Sequence, residues 1–241
     1  MSFVMSKLKS ALTYFSKAEL ILWLFSLTAI LISFFAFRQS DYLNLTASLI
    51  GVTSLIFCAK GNPAGQVLMI VFSLLYGYIS YSVSYYGEMV TYLGMTLPMS
   101  VFSLVSWLRN PFVKGKAEVR IHRINKKEAV FAVFLTAIVT VLFYFILDFF
   151  STANIIPSTL SVATSFLAAY LTFRRSPYFA VSYAANDIVL IVLWILASLK
   201  DASYVSVTVC FLIFLLNDLY GFYNWKKMEK NQQENKNIQI Q

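Results

Sequence analysis

The chain alternates between long apolar runs and short polar segments, and this pattern predicts eight membrane-spanning helices. Each run approaches the roughly 20 apolar residues that a helix needs to cross a hydrocarbon core of about 30 Å. The separators contain turn-forming residues, as in Gly61-Asn62-Pro63 and Ser176-Pro177. Eight spans leave room only for loops and tails, which excludes a fused ATPase or kinase module. The runs cover residues 20–37, 42–58, 63–84, 88–108, 128–148, 156–173, 178–198 and 203–225.

The segment before the first run predicts a helix that lies on the membrane surface. Residues 3–17 place apolar side chains at helical spacing against Lys7, Lys9 and Lys17. The run 20–37 is too long for the apolar part of a signal peptide, and it lacks a small-residue cleavage site at its end. We therefore interpret this run as a true span.

Composition and charge placement support a membrane protein with both termini in the cytoplasm. Of the 241 residues, 59% are hydrophobic and 12% are charged, which is too apolar for the surface of a soluble domain. When eight spans are threaded, all of the 19 Lys and Arg residues except Arg38 and Lys200 fall on the N-terminal side. Basic loops remain in the cytoplasm. The net charge of +8 is therefore the usual bias toward anionic lipid and does not indicate nucleic-acid binding.

Two stretches of three helices look alike. Asn62-Pro63 and Ser176-Pro177 each open a helix, and Trp107 and Trp225 each close a stretch beside basic residues. The pattern predicts two parallel three-helix units, 42–108 and 156–228, joined by a basic loop and a linking helix within 109–155. Residues 1–41 would add an amphipathic N-terminus and an extra span, and residues 229–241 a cytoplasmic tail. The alternative is that apolar helices resemble one another through composition alone.

Polar and aromatic side chains at membrane depth mark the candidate substrate site. Asp187 lies near the middle of its span and Asp218 in the inner half of the last span, where ionisable residues are rare and usually functional. Helical spacing places further amides, hydroxyls and rings on shared faces. The alternative is that the hydroxyls join helices and that Tyr and Trp anchor the interface. The predicted substrate-binding residues are Gln66, Ser73, Tyr76, Tyr92, Tyr183, Asn186, Asp187, Trp194, Asn217, Asp218 and Asn224.

The chemistry of these residues favours a neutral or cationic ligand that carries hydroxyls. The spans contain no Lys or Arg, so a phosphate would lack its usual partners. A flat cationic ring would be attracted to Tyr or Trp faces. Cys58 and Cys210 lie in apolar runs and His122 lies in a basic loop, with no metal or nucleophile motif. The sequence therefore predicts a carrier that is not an enzyme and needs no metal or cofactor.

Several stretches resemble the PnuC family of vitamin transporters. In the first unit they are residues 59–61, 73–81, 86–89 and 97–99 with Trp107, and in the second unit 186–194 and 217–225. The resemblance runs in order over about 42–228. It implies an all-α membrane protein with a parallel 3+1+3 helix plan, like that of the sugar transporters called SWEETs, plus one extra N-terminal helix. One departure is Phe72, since some members carry an asparagine near this position.

The resemblance also implies a function. It indicates facilitated uptake of nicotinamide riboside across the bacterial cytoplasmic membrane by alternating access, with a cytoplasmic kinase that phosphorylates and traps the vitamin. Asp187 would offset the pyridinium charge, while Asn186, Asn217 and Gln66 would bind the hydroxyls and the amide. A homo-oligomer is compatible with it. Relatives that carry thiamine or riboflavin leave another B vitamin as an alternative, and a non-transporting binding subunit is a second.

Overall fold

The computed structural model describes residues 14–37, 42–82, 86–152, 154–199 and 202–238. Within these ranges, eight helices are long and apolar enough to cross a membrane, so the eight predicted spans are confirmed to within a few residues at most ends. Most of the predicted surface helix at 3–17, together with Arg38 and Lys200, lies outside the described residues. The helices are α1 (Lys17–Ala36), α2 (Tyr42–Ala59), α3 (Ala64–Ser82), α4 (Tyr86–Arg109), α5 (Lys126–Phe149), α6 (Ile155–Phe173), α7 (Tyr178–Ser198) and α8 (Val205–Ile238).

Six of these helices form a closed ring. Going around it, α2 packs on α3, α3 on α4, α4 on α6, α6 on α7, α7 on α8, and α8 returns to α2. The third helix of each predicted unit therefore contacts the first helix of the other unit. This arrangement surrounds a central space with helices from both units.

The helices α1 and α5 lie outside the ring. Helix α5 packs on α6, and much of its outer face is exposed Val and Phe, as expected for a surface that meets lipid. Helix α1 packs on α2 and α8. Its first turn is fixed by Glu19, which is buried, accepts from Lys60 Nζ at 2.9 Å and accepts from the Tyr220 hydroxyl at 3.2 Å. These contacts join the extra helix to both predicted units.

Helix α8 continues well beyond the predicted span 203–225. Its last part consists largely of good helix formers, with Lys226–Glu229 and Lys230–Glu234 pairs at helical spacing. This part of the predicted tail is docked against the segment 110–125. Gln232 accepts from the Ile121 backbone N–H at 2.9 Å and donates to the Val119 carbonyl at 3.0 Å.

Two equivalent turns connect helices at the end of the ring where the basic loops lie. Gly61 and Arg175 both have positive φ angles, 61° and 57°. The Gly61 N–H donates to the Cys58 carbonyl at 2.9 Å, and the Arg175 N–H donates to the Thr172 carbonyl at 2.9 Å. Each turn lies between the first and the second helix of its predicted unit. The parallel relation of the two units remains a prediction.

The segment 110–125 lies across both turns. The Val119 N–H donates to the Gly61 carbonyl at 3.0 Å, and the His122 N–H donates to the Arg175 carbonyl at 3.1 Å. We call the region formed by these two turns, the segment 110–125 and α8 after Trp225 the basic end. The region formed by residues 86–88, 149–152, 154–155, 199 and 202–204 is called the opposite end.

Candidate functional site

A cavity of about 930 Å³ lies inside the helix ring. It is lined from all six ring helices, and it extends along the ring axis from the opposite end. There it is bordered by Glu88, Thr152 and Tyr204, and its deepest walls include Leu55, Met69 and Asp218. None of the described residues at the basic end lines it. A largely apolar cavity with a few convergent polar groups is the usual form of a small-molecule site.

Six of the eleven predicted substrate-binding residues line this cavity. They come from α4, α7 and α8, so these three helices border the same space. They are Tyr92, Tyr183, Asn186, Asp187, Trp194 and Asp218. Their role in binding remains a prediction.

The other five predicted residues do not line the cavity. Gln66 donates to the Cys58 sulfur at 3.2 Å, and Ser73 donates to the Met69 carbonyl within its own helix at 2.8 Å. Asn217 donates to the Ser26 hydroxyl on α1 at 2.9 Å, and Asn224 donates to the Ala59 carbonyl on α2 at 2.8 Å. Tyr76 borders a much smaller cavity beside α1. Gln66, Asn217 and Asn224 therefore connect neighbouring helices, a common use of polar side chains in membranes. A role of these five residues in substrate binding remains a prediction.

Asp187 and Asp218 form a buried carboxyl pair at the deep part of the cavity. The two side chains, on α7 and α8, are close enough to interact, and the residues are only 4% and 5% exposed. Oδ2 of Asp187 has no hydrogen-bond partner among the residues that the structure describes. Among the described residues that line the cavity there is no Lys or Arg. A buried carboxylate without a basic partner is costly, and a cationic ligand would supply the missing charge.

Asn186 is held in place by two hydroxyl groups from α6. The Ser161 hydroxyl donates to Asn186 Oδ1 at 3.0 Å, and the Thr164 hydroxyl donates to the same oxygen at 2.9 Å. Because the amide oxygen already accepts these two bonds, the NH₂ group is the part of the side chain left to bind a ligand, and it does so as a donor.

An aromatic cluster forms the wall of the cavity on the side of α3. Phe72 packs on Tyr76 with ring centroids 4.7 Å apart, and it also contacts Tyr92 at 6.0 Å and Phe214 at 6.4 Å. Phe72, Tyr92 and Phe214 line the cavity. Near the opposite end, Trp194 and Tyr204 pack on each other at 5.4 Å. Ring faces of this kind bind flat aromatic and cationic groups.

Helix α4 is irregular where it borders the cavity. Residues Thr91–Thr96 form a π-helical turn, and Thr91, Tyr92 and Thr96 line the cavity. A π-turn widens the helix and frees backbone groups, and such turns are frequent at functional sites. The sequence shows no signal for it, since Gly94 and the two threonines are compatible with an ordinary helix.

Sequence reasoning missed three parts of the cavity wall. Helix α6 contributes Ser158, Ser161 and Ser165, and their spacing along one helix face could have identified them. Glu88 lines the cavity near the opposite end, but an acidic residue at the end of a span carries no signal that separates a cavity wall from a solvated surface. Phe72 and Phe214 also line it, but a phenylalanine in an apolar run carries no signal that separates a cavity wall from a lipid-facing surface.

The basic end is closed by a packed core. Trp107, Phe179 and Trp225 are almost fully buried there, together with Val119 of the segment 110–125. Arg175 donates to the Ser106 hydroxyl at 3.2 Å and joins α4 to the turn before α7. Partial burial, with Arg174 and Arg120 nearby, lowers the pKa of Arg175 from its usual value. This end therefore separates the cavity from the basic surface.

Comparison with known proteins identifies the family. A family model described as nicotinamide mononucleotide transporter matches residues 41–227. Two relatives are both described as nicotinamide riboside transporter PnuC. The one from Neisseria mucosa is 23% identical over 212 residues, covering 86% of this chain and 81% of the relative. The one from Haemophilus influenzae is 23% identical over 191 residues, covering 79% and 81%.

A solved structure shares the fold. The crystal structure of the vitamin B3 transporter PnuC matches with a TM-score of 0.78 and 22% identity, covering 90% of this chain and 94% of that chain. The fold agrees with the all-helical membrane architecture described above. Because the family model matches well over half of this chain, the chain belongs to the nicotinamide mononucleotide transporter family, which is the family of the PnuC transporters.

Proposed function

We propose that this protein mediates facilitated uptake of nicotinamide riboside across the bacterial cytoplasmic membrane. The observation that carries the proposal is the buried pair Asp187–Asp218 beside an aromatic wall, in a cavity whose described lining contains no basic side chain. Nicotinamide riboside is a flat pyridinium cation attached to a ribose. Such a ligand needs a counter-charge, ring faces and hydroxyl or amide partners.

Each part of this ligand has a partner in the cavity. The carboxyl pair offsets the pyridinium charge, and Phe72, Tyr92 and Phe214 offer ring faces in the same cavity. The amide NH₂ of Asn186 and the serine hydroxyl oxygens of α6 that line the cavity offer hydrogen bonds to the ribose or the carboxamide. The relatives from Neisseria mucosa and Haemophilus influenzae carry the name of nicotinamide riboside transporters, which supports the same substrate.

The charge of the lining favours the riboside over the mononucleotide. A phosphate group in a membrane-embedded site is ordinarily held by Arg or Lys. The described lining has none, and it has acidic groups at Glu88, Asp187 and Asp218. A phosphate would therefore be repelled, although the family model is described as a mononucleotide transporter.

Alternating access is the proposed mechanism. The basic end is proposed to face the cytoplasm, with both termini on that side, because basic loops stay inside. The cavity then extends toward the outside while the core around Trp107 and Trp225 closes the inside. Relative movement of the two three-helix units would open the basic end and close the opposite end around the same site.

No coupling ion is part of the proposal. Uptake follows the concentration gradient of the riboside, and a cytoplasmic nicotinamide riboside kinase traps the product by phosphorylation. Since the phosphorylated product carries a new negative charge, the acidic cavity described above would not readmit it.

Equilibrium binding to the purified protein tests the substrate. Nicotinamide riboside should bind, and neither thiamine nor nicotinamide mononucleotide should displace it at tenfold excess. Thiamine is also cationic and aromatic. Tight thiamine binding without riboside binding would show that the protein binds a vitamin but that its substrate is thiamine. Tight binding without transport in liposomes would instead indicate a binding subunit of a larger complex.

A further inference from the structure

Gly51, in the middle of α2, lies directly behind two aromatic rings of the cavity wall. A Cβ atom added to Gly51 would come within 2.9 Å of the Phe214 ring and within 2.9 Å of the Phe72 ring. Real Cβ atoms do not approach other atoms so closely, so at least one ring would have to move. Gly51 is buried, and it also lines the cavity itself.

The two rings have little freedom to move away from the cavity. Phe72 is 7% exposed and is packed against Tyr76 and Tyr92 on the side of α3 and α4. Phe214 is packed against Phe211 of its own helix at 5.8 Å. Because interiors are close-packed, a ring pushed by a methyl group moves toward the available space, which is the cavity.

The displaced rings would enter the part of the cavity that holds the carboxyl pair. Asp218 follows Phe214 by one helical turn, so the two side chains lie on one face of α8. Gly51, Phe72 and Phe214 therefore set the width of the space next to Asp187 and Asp218. A flat ring bound there would lie against the aromatic wall and next to the carboxyl groups.

We propose that Gly51 is a specificity-determining residue, which gives Phe72 and Phe214 the space to lie flat against α2 and so sets the width of the slot that receives the ligand's cationic ring. This inference rests on the proposed function, since it concerns the ring of the transported vitamin. The slot selects by ring size: it accepts a single pyridinium ring and excludes bulkier ring systems. None of the three residues carries charge, so the selection is one of shape.

The chain offers a matched control for a substitution at Gly51. Gly221 lies on α8 near the basic end, where an added Cβ would meet Ala180 and Ala59 Cβ atoms at 3.7 and 3.8 Å, which is ordinary contact. Gly221 does not line the cavity. Gly221→Ala therefore introduces the same methyl group into a buried helix position without moving the aromatic wall.

The test measures the affinity for nicotinamide riboside of wild type, Gly51→Ala, Gly51→Ala/Phe72→Leu and Gly221→Ala. We expect Gly51→Ala to weaken binding by about tenfold or more, the effect of a misplaced group in an apolar pocket. The smaller Leu should restore most of the loss in the double variant, and Gly221→Ala should bind as the wild type does. Wild-type affinity in Gly51→Ala, or no recovery in the double variant, would overturn the inference.

A second pair of variants keeps the inference testable if Gly51→Ala does not fold. Phe72→Leu and Phe214→Leu widen the slot, so each should improve the affinity for thiamine relative to nicotinamide riboside by about tenfold. An unchanged ratio in both would overturn the inference.

Binding by the wild type separates the two proposals. If the wild type binds no vitamin, the proposed function fails and the inference fails with it. If it binds the riboside and the ratios do not change, only the inference fails.

Discussion

The indole rings of Trp107 and Trp225 lie together at the basic end, with their centroids 5.4 Å apart, and their hydrogen bonds cross between the two units. Trp107 Nε1 donates to the Thr172 carbonyl at 2.9 Å, and Trp225 Nε1 donates to the Cys58 carbonyl at 2.8 Å. Each ring thus joins the last helix of one unit to the first helix of the other. Opening the basic end would require both bonds to break or to move together.

Replacing either tryptophan by phenylalanine should destabilise the basic end by a similar amount. Each substitution removes one hydrogen bond, while the carbonyl keeps the bond from the turn, Arg175 N–H for Thr172 and Gly61 N–H for Cys58, so the loss is about 1 kcal/mol. For a chain of this size the melting temperature should fall by roughly 3 °C. Thermal unfolding of Trp107→Phe and Trp225→Phe checks this.

Trp23→Phe is the matched control. Trp23 lies on α1 outside the ring and donates to the Thr53 hydroxyl at 3.2 Å, and neither residue spans the two units. We expect a smaller fall in melting temperature for this variant. Equal effects of all three substitutions would contradict a special role of the crossing bonds.

Removing the charge of the carboxyl pair should weaken binding of a cationic ligand. Asp187→Asn and Asp218→Asn keep the size of each side chain but remove a counter-charge, so we expect the affinity for nicotinamide riboside to fall by about 10- to 100-fold. Isothermal titration calorimetry of each variant checks this. The control is Asp148→Asn, since Asp148 is exposed at the end of α5 and does not line the cavity. Unchanged affinity in both pair variants would contradict the assigned role.

A cysteine introduced in the cavity should be reachable from outside the cell. Ser165 lines the cavity on α6, whereas Ser103 is 1% exposed and does not line it. With Cys58 and Cys210 replaced by serine, Ser165→Cys should react with a membrane-impermeant thiol reagent on intact cells, and Ser103→Cys should not. Excess nicotinamide riboside should slow the labelling of Ser165→Cys. Labelling from the cytoplasmic side alone would contradict the proposed orientation.

The contact of α8 with the segment 110–125 should protect that segment. Gln232→Ala removes the acceptor of the Ile121 N–H and the donor to the Val119 carbonyl. Amide hydrogen exchange of residues around Ile121 should therefore become faster, measured by mass spectrometry. Asn231→Ala is the control because Asn231 is exposed. If Gln232→Ala leaves the exchange around Ile121 unchanged, the docking does not stabilise the segment.

The membrane spans and the position of Asp187 and Asp218 at membrane depth could be predicted from sequence, because both depend on the local pattern of apolar and polar residues. Apolar runs of sufficient length form helices in a membrane wherever their partners lie. Asp187 and Asp218 are conspicuous because charge at that depth is costly. The continuation of α8 was missed because its polar residues look like a tail until Gln232 and Glu229 meet the segment 110–125.

The remaining site residues could not be assigned without the arrangement of the helices. Asn217 and Asn186 are equally polar and equally deep in their spans, yet one contacts Ser26 on α1 and the other faces the cavity. The presence of α1 beside α8 decides between these outcomes, and helical periodicity does not reveal which neighbour a face will meet. Phe72 and Phe214 depend in the same way on the single missing side chain at Gly51.

Facilitated transport is tested most directly by uptake of radiolabelled nicotinamide riboside into liposomes that contain only this protein. We expect saturable uptake that needs no ion gradient and stops when the internal and external concentrations are equal. Asp187→Asn should reduce this uptake strongly. No uptake above that of empty liposomes, or accumulation above the external concentration driven by an imposed gradient, would contradict facilitated transport by this chain.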